Sequence, residues 1–315
     1  MLRDYDVTAG LPFLPMTFIK LSDGYEIPTV GLGTWRCSAS TIRQSVSCAL
    51  ETKYRHFDCA YLYGNEKGIG EALEESLKRL SLKRETIFVT SKVNESLWIS
   101  LYISSHRQLW CTYFRPELVR RCCMQSLANL RLQYIDLYLM HSPMALQAME
   151  KLVDGGLVKS IGLSNFNQRQ ISHILAHCRI RPVNLQIEIH ANFPNTCLVD
   201  YAHSVGLTVT AYAPLGSPGG FRGKTNLLTE SWVTEIAKRH QKTCAQILLR
   251  YCLQRGLIVI PKSSKPHRIK ENIQVFDFEL SEEEMDQLNT SGLNERQFRF
   301  EKLKHHPEYP FHDDI

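Results

Sequence analysis

The chain has 315 residues, 43% hydrophobic and 22% charged, with a formal net charge of +5. That is a globular balance, long enough for two domains or for one α/β barrel. Lys and Arg are interleaved with Asp and Glu instead of gathered in a block, which argues against a nucleic-acid partner, while the small positive excess suits an anionic small molecule. The ten cysteines include no C-x-x-C pair, and several stand in apolar runs, as Cys59 does in HFDCAY. They read as reduced thiols of a cytoplasmic protein, not as a disulfide framework or a metal site. The opening MLRDYDVTAGLPFLPM carries charges and prolines without a sustained apolar core, so it predicts neither a signal peptide nor a membrane span.

In chain order, MTFIKL, the turn SDGY and EIPTVGLGTW predict a β-hairpin, with Asp23-Gly24 as the turn signal. Eight short runs rich in β-branched residues then alternate with amphipathic segments. The runs are TVGLGT, YRHFDCA, TIFVTS, IDLYLMH, SIGLSN, VNLQIEI, LTVTAYA and LIVIPK. The helical segments include TIRQSVSCALETK, whose Ile42, Val46, Ala49 and Leu50 mark one face. Such alternation leaves an open doubly wound sheet or a closed (β/α)8 barrel. VGLGTWR offers G-x-G without a third glycine, so the dinucleotide fingerprint of the open sheet is absent. Polar residues instead collect where the strands end: Asp58, Lys92, His141, Ser164, Asn165, Gln186, Tyr212 and Lys262. Groups delivered by the C-terminal ends of many strands are a barrel's signature. The expected fold is a single (β/α)8 TIM barrel domain spanning 1–315, with an N-terminal β-hairpin.

Three of these, with Tyr63 from a following loop, make a plausible proton-delivery site. Tyr63 follows the second barrel strand, with Asp58 at that strand's end. Lys92 ends the third strand and His141 the fourth. A free tyrosine is a weak acid, with a pKa of about 10. A nearby ammonium favours the phenolate and pulls that value down, and a carboxylate beside the ammonium keeps it charged in a partly dry pocket. A neutral imidazole could orient a carbonyl oxygen for protonation. Taken singly, each residue has a plainer reading as a cap, a packing ring, a core histidine or a surface lysine. Their coincidence at successive strand ends is what points to chemistry.

GLGTWR, YRHFDCAYLYGNEKGIGEAL, FVTSK, QYIDLYLMHSP, AMEKLVDGGLVKSIGLSNF, NLQIEIH and VIPKSSKPHRIKENIQVFDFEL together resemble the aldo-keto reductases, nearest the aldose and aldehyde reductase branch. The resemblance covers residues 17–311. It implies NADPH as cofactor, reversible hydride transfer to a small-molecule carbonyl substrate, and a monomer working without a membrane, a nucleic acid or a metal. It also implies Tyr63 as general acid, Asp58 and Lys92 as its tuning pair, and His141 as the group that positions the carbonyl. Ser164, Asn165 and Gln186 match the holders of the nicotinamide carboxamide, and Tyr212 matches the residue stacked on that ring. Leu215 and Ser217 match the loop over the pyrophosphate. Lys262, Ser263, Arg268, Glu271 and Asn272 match the adenosine end, Gly33 and Thr34 match further cofactor positions, and Trp35 matches a substrate-pocket wall. Lys262 and Arg268 also supply, on chemistry alone, the charge that a 2′-phosphate needs.

The chain departs from the family pattern twice at this face. Residues 93–108 (VNESLWISLYISSHRQ) intervene where FVTSK should run directly into LWCTYFRPE. After His141, Ser142 and Pro143, about two dozen residues of the family pattern are missing, by a count of the motif spacing. A remodelled pocket is one origin. A splicing or gene-model artefact is the favoured one: valine codons begin GT and CAG encodes glutamine, so residues 93–108 fit a short retained intron read in frame, and the missing loop fits a skipped exon. The alternatives to an active reductase are therefore a cofactor-binding protein without turnover, or an unstable splice product.

Overall fold

A computed structural model of the chain describes residues 17–93, 116–140, 145–218, 226–301, 304–305 and 308–312. His141, Ser142, Pro143 and the inserted residues from 94 onward lie outside the described residues. The hairpin forms where the turn signal puts it, with β1 (Phe18–Lys20) antiparallel to β2 (Glu26–Pro28). Its turn closes through the Leu21 N–H donating to the Tyr25 carbonyl at 2.8 Å.

All eight apolar runs become parallel strands, each bonded to the next: β3 (Leu32–Gly33), β4 (His56–Asp58), β5 (Phe88–Lys92), β6 (Ile135–Met140), β7 (Val158–Ser164), β8 (Asn184–Glu188), β9 (Thr208–Tyr212) and β10 (Ile258–Val259). Parallel neighbours need crossovers, and amphipathic helices supply them. The crossover helices are α1 (Ala39–Glu51), α2 (Glu66–Arg79), α3 (Pro116–Leu130), α4 (Leu146–Asp154), α5 (Gln168–His177), α6 (Thr196–Ser204), α7 (Ser231–His240) and α8 (Cys244–Gln254), and α9 (Pro266–Asn272) and α10 (Glu282–Thr290) follow the last strand. On α1 the predicted face is the buried one, since Ile42, Val46, Ala49 and Leu50 are all in the core.

The sheet closes on itself between its first and last strands. The Gly31 N–H donates to the Val259 carbonyl at 2.8 Å, the Val259 N–H to Thr29 at 2.8 Å, and the Gly33 N–H to Pro261 at 3.0 Å. Gly33 has to be a glycine at this seam, because a Cβ there would stand 2.5 Å from the Ile260 carbonyl oxygen.

Inside the barrel the layers differ in character. At the bottom, Phe88, Leu137, Leu139, Val183 and Ile258 form an apolar plug that the hairpin covers with Leu21 and Ile27. Polar pairs lie among the strands as well. Asn184 Nδ2 donates to the hydroxyls of Thr208 and Thr210 at 3.0 Å each. His56 is buried between the Pro28 carbonyl at Nδ1 (3.3 Å) and the Thr90 hydroxyl at Nε2 (3.1 Å). A carbonyl can only accept, so Nδ1 carries the hydrogen and Nε2 accepts from Thr90. Burial pushes the His56 imidazole down to about 4, with Asp58 pulling weakly the other way.

This depression sets an acid limit on the fold. The unfolded chain protonates His56 near 6.5, before the folded chain does, so the stability that neutral His56 contributes is complete above that pH. It is lost progressively as the pH falls toward 4, to a total of about 3 kcal/mol. Urea unfolding at pH 7 and pH 4.5 should show a smaller loss for His56→Gln than for the parent chain. Equal losses would mean that His56 takes up its proton in the folded protein as readily as in the unfolded one.

Candidate active site

The C-terminal ends of the strands gather the predicted residues that lie among the described ones at one mouth, His141 being outside them. Asp58 ends β4 and Lys92 ends β5, and both side chains are buried. Lys92 Nζ donates to both Asp58 oxygens, at 2.7 and 2.8 Å, and to the Cys59 carbonyl at 3.0 Å. The Thr34 hydroxyl donates to the Asp58 carbonyl at 2.8 Å, fixing the strand end from behind. Tyr63 closes a single 3-10 turn (Tyr61–Tyr63) whose continuation is stapled by Asn65. The Asn65 amide donates to the carbonyls of Thr34 and Cys37 at 2.9 and 3.1 Å. The turn brings the Tyr63 ring over Lys92, whose Nζ stands 5.1 Å from the ring centre.

The electrostatics differ from the sequence reading in one respect. Lys92 does favour the Tyr63 phenolate, but burial of the hydroxyl is the larger effect and Asp58 adds to it. The phenol is pushed up to about 12 instead of being drawn down. Lys92 itself loses from burial, yet Asp58 and Tyr63 more than compensate and hold its ammonium above the ordinary lysine value. The result is a firmly charged lysine beneath a firmly protonated tyrosine.

A second group lines the other side of the mouth. Ser164 ends β7, and Asn165 follows it at φ 58°, a left-handed conformation that asparagine tolerates. The Asn165 N–H donates to the Gln186 carbonyl at 3.0 Å, and Asn165 Oδ1 accepts the Tyr212 hydroxyl at 2.9 Å. Gln186 Nε2 donates to Asp58 Oδ1 at 2.8 Å, so the two groups of residues share one carboxylate. Leu215 and Ser217 follow β9, with Ser217 at φ 51°. Lys262 and Arg268 are exposed at and beyond the end of β10, while Ser263 and Asn272 are buried and Glu271 is half-buried. The Ser263 hydroxyl accepts the Lys265 N–H at 3.1 Å, setting the turn into α9. Trp35 is exposed at the mouth, edge-on to Phe298 with ring centres 5.6 Å apart.

Two further residues at this mouth were not named from the sequence. Phe298 also meets Tyr212 edge-on at 5.6 Å, and Glu188 is buried at the end of β8 beside the backbone of Phe298. The signal for Glu188 was available in QIEIH, a carboxylate and a histidine alternating inside an apolar strand. Phe298 lies in NERQFRFEKLKHHPEYPFHDDI, a stretch whose resemblance marks it as a pocket wall, but with no strand or helix period nothing there singles out this ring. Among the described residues, no three His, Cys, Asp or Glu side chains cluster to hold a metal.

The aldo/keto reductase family model matches residues 29–292. Aldo-keto reductase family 1 member A1-A of Danio rerio is 42% identical over 332 positions, covering 93% of this chain and 98% of its own length. Member A1 of Homo sapiens is 40% identical over 334 positions, covering 94% and 98%. Both alignments are longer than the 315-residue chain, so these relatives carry residues with no counterpart here. Among solved structures, aldose reductase from Schistosoma japonicum is 53% identical with a TM-score of 0.84, covering 95% of this chain and 100% of that one. A Bombyx mori aldo-keto reductase in complex with NADP is 35% identical with a TM-score of 0.84, covering 94% and 99%.

The opposed influences on Tyr63 can be separated. Asp58→Asn removes the anion that holds its proton, and should bring the tyrosine titration down from about 12. Lys92→Met removes the cation and should take it higher. Ultraviolet titration against Tyr63→Phe isolates this one phenol, and shifts of both variants in the same direction would contradict the arrangement.

Proposed function

Because the chain belongs to the aldo/keto reductase family, we propose that it reduces small aldehydes and ketones at the expense of NADPH, with Tyr63 as proton donor. The observation that carries this reading is the buried Lys92 ammonium, held by both oxygens of Asp58 directly beneath the Tyr63 ring.

The residues present suit the cofactor. Gln186 spends its amide nitrogen on Asp58, which leaves the amide oxygen to accept from a carboxamide. Tyr212 is held by its bond to Asn165 and so offers a fixed ring face for stacking. Lys262 and the planar fork of Arg268, both exposed, match a phosphate in charge and shape. Ser164, Asn165, Leu215, Ser217, Ser263, Glu271 and Asn272 complete this proposed site, with Gly33 and Thr34 acting as its backbone frame. Bound NADPH supplies the hydride.

The protein's own part is the proton. As the carbonyl oxygen takes on charge, Tyr63 hands it the phenolic hydrogen, and Lys92 stabilises the phenolate left behind. An alkoxide is a far stronger base than a phenolate, so the transfer runs downhill even from a phenol near 12. That high value keeps the proton on Tyr63 across the neutral range, where the donor must be loaded. Asp58 keeps Lys92 charged and in place. His141 is proposed to orient the carbonyl, and Trp35 to wall the substrate. Buried thiols such as Cys59 and Cys123 support a reducing, cytoplasmic setting.

One observation favours a second reading. Residues present in the relatives are missing here, and the motif pattern reads residues 93–108 as an insertion, so a protein that binds NADPH without turning over is the alternative. NADPH binding and NADPH consumption with a simple aromatic aldehyde, measured on the full chain, separate the two. Turnover is expected; binding without it supports the alternative.

Tyr63→Phe should lose turnover by at least about 100-fold while NADPH affinity holds, because the proton matters only in the transition state. Retained turnover would mean a different acid. Arg268→Ala should weaken NADPH binding by about 1.5–3 kcal/mol and leave NADH binding nearly unchanged. Equal losses for the two cofactors would remove the 2′-phosphate role.

A further inference from the structure

Glu188 stands on the same face of β8 as Gln186, one step higher at the mouth, and it is fully buried. Its carboxylate is wholly engaged. Oε1 accepts the Gln297 N–H at 2.7 Å and His190 Nε2 at 3.0 Å, and Oε2 accepts the Phe298 N–H at 3.0 Å. A carboxylate only accepts, so His190 Nε2 carries a hydrogen. The chain before this point is held against the same loop. The Glu295 N–H donates to the Asn192 carbonyl at 2.9 Å, and Gly292 presses so close to the Ala191 carbonyl that no side chain would fit. Arg296 lies between the rings of Phe193 and Phe311, 4.5 and 3.7 Å from their centres.

These contacts have one product at the mouth. Phe298 is placed edge-on to Tyr212 and to Trp35, with both ring centres 5.6 Å away and interplanar angles of 81° and 68°. A carboxylate fully withdrawn from water is costly unless every oxygen is bonded, and an apolar side chain would fill the same space without that cost. What the carboxylate adds is direction. It gives two consecutive backbone N–H groups a single charged acceptor, and charge-assisted bonds are about twice as strong as neutral ones.

We propose that Glu188 is a positioning residue for substrate selection: its buried carboxylate fixes Phe298, and thereby the width of the aromatic wall that Phe298 and Trp35 present beside Tyr212. The assignment rests on the carbonyl-reductase reading. Glu188 touches neither the reacting atoms nor the proton donor, and it acts through the backbone of residues 297 and 298.

The test uses the full chain loaded with NADPH. Glu188→Gln keeps the shape but turns one acceptor into a donor, so at least one of the three incoming hydrogens loses its partner. Hydrogen exchange at the Gln297 and Phe298 amides should accelerate. The ratio of dissociation constants for a bulky aromatic and a short aliphatic aldehyde should shift by about tenfold. NADPH affinity should stay within about twofold, the scatter of a site whose contacts are unchanged. Phe298→Ala should shift the same ratio, and the double variant no further than Phe298→Ala alone. If Glu188→Gln does not fold, Glu188→Asp keeps the charge, withdraws the acceptor by one methylene, and should shift the ratio as well. A lowered melting temperature with an unchanged aldehyde ratio would overturn the proposal, as would unchanged exchange at both amides, or full additivity with Phe298→Ala. Aldehyde binding without any turnover would count against the proposed activity alone, since neither exchange nor binding requires catalysis.

Discussion

The Asp58 carboxylate and the Lys92 ammonium face each other at the end of two adjacent strands, both out of reach of water. Removing charges from water costs several kcal/mol per ion, and only a well-bonded pair recovers it. Here the bonding is dense. Lys92 spends hydrogens on both Asp58 oxygens and on the Cys59 carbonyl, and Asp58 Oδ1 also accepts from Gln186. One carboxylate thus joins β4, β5 and β8, and couples the Tyr63 side of the mouth to the proposed nicotinamide side. Losing either partner would leave a bare buried charge, a cost of about 3–5 kcal/mol. Such a pair is a poor way to stabilise a barrel and a good way to hold a cation at one place under a tyrosine.

Placing the cation well does not by itself make Tyr63 acidic. The dryness that strengthens the attraction to Lys92 also penalises the phenolate, and the same Asp58 that secures Lys92 repels it. The arrangement favours a loaded donor over a strong acid. For the proposed protonation of an incipient alkoxide that balance is the useful one, because the acceptor is basic enough and the supply of protons is what has to be assured.

Much of this was legible in the sequence, for physical reasons. Eight β-branched runs could become strands only if helices covered them, and the periodicity of Ile42, Val46, Ala49 and Leu50 showed which helical face would do so. Polar residues at strand ends were conspicuous because strand interiors tolerate so few. Net electrostatics were not legible, since the depth at which Tyr63 sits is a tertiary property. Nor was the use of the Thr34 hydroxyl, which is turned to the Asp58 carbonyl and serves the strand end. The least visible feature was the pairing of Glu188 with residues 297 and 298, because it joins a strand to an aperiodic stretch more than a hundred residues later. Backbone donors of that kind leave no mark in composition or spacing.

The seam at Gly33 has a consequence for how the molecule is made. Its bonds join residues 29–33 to residues 259–261, so the first barrel strand finds its last neighbour only when most of the chain has been synthesised. Without that neighbour β3 has a single parallel partner, β4, and its other edge is unpaired. Contacts so distant along the chain are slow to form, because loop closure has to be accomplished before they reward it. The buried ion pair belongs to strands near the beginning, yet the carboxylate's third partner, Gln186, arrives only with β8. The mouth is therefore complete only when β8 and the seam are both in place, although its ion pair belongs to the early strands.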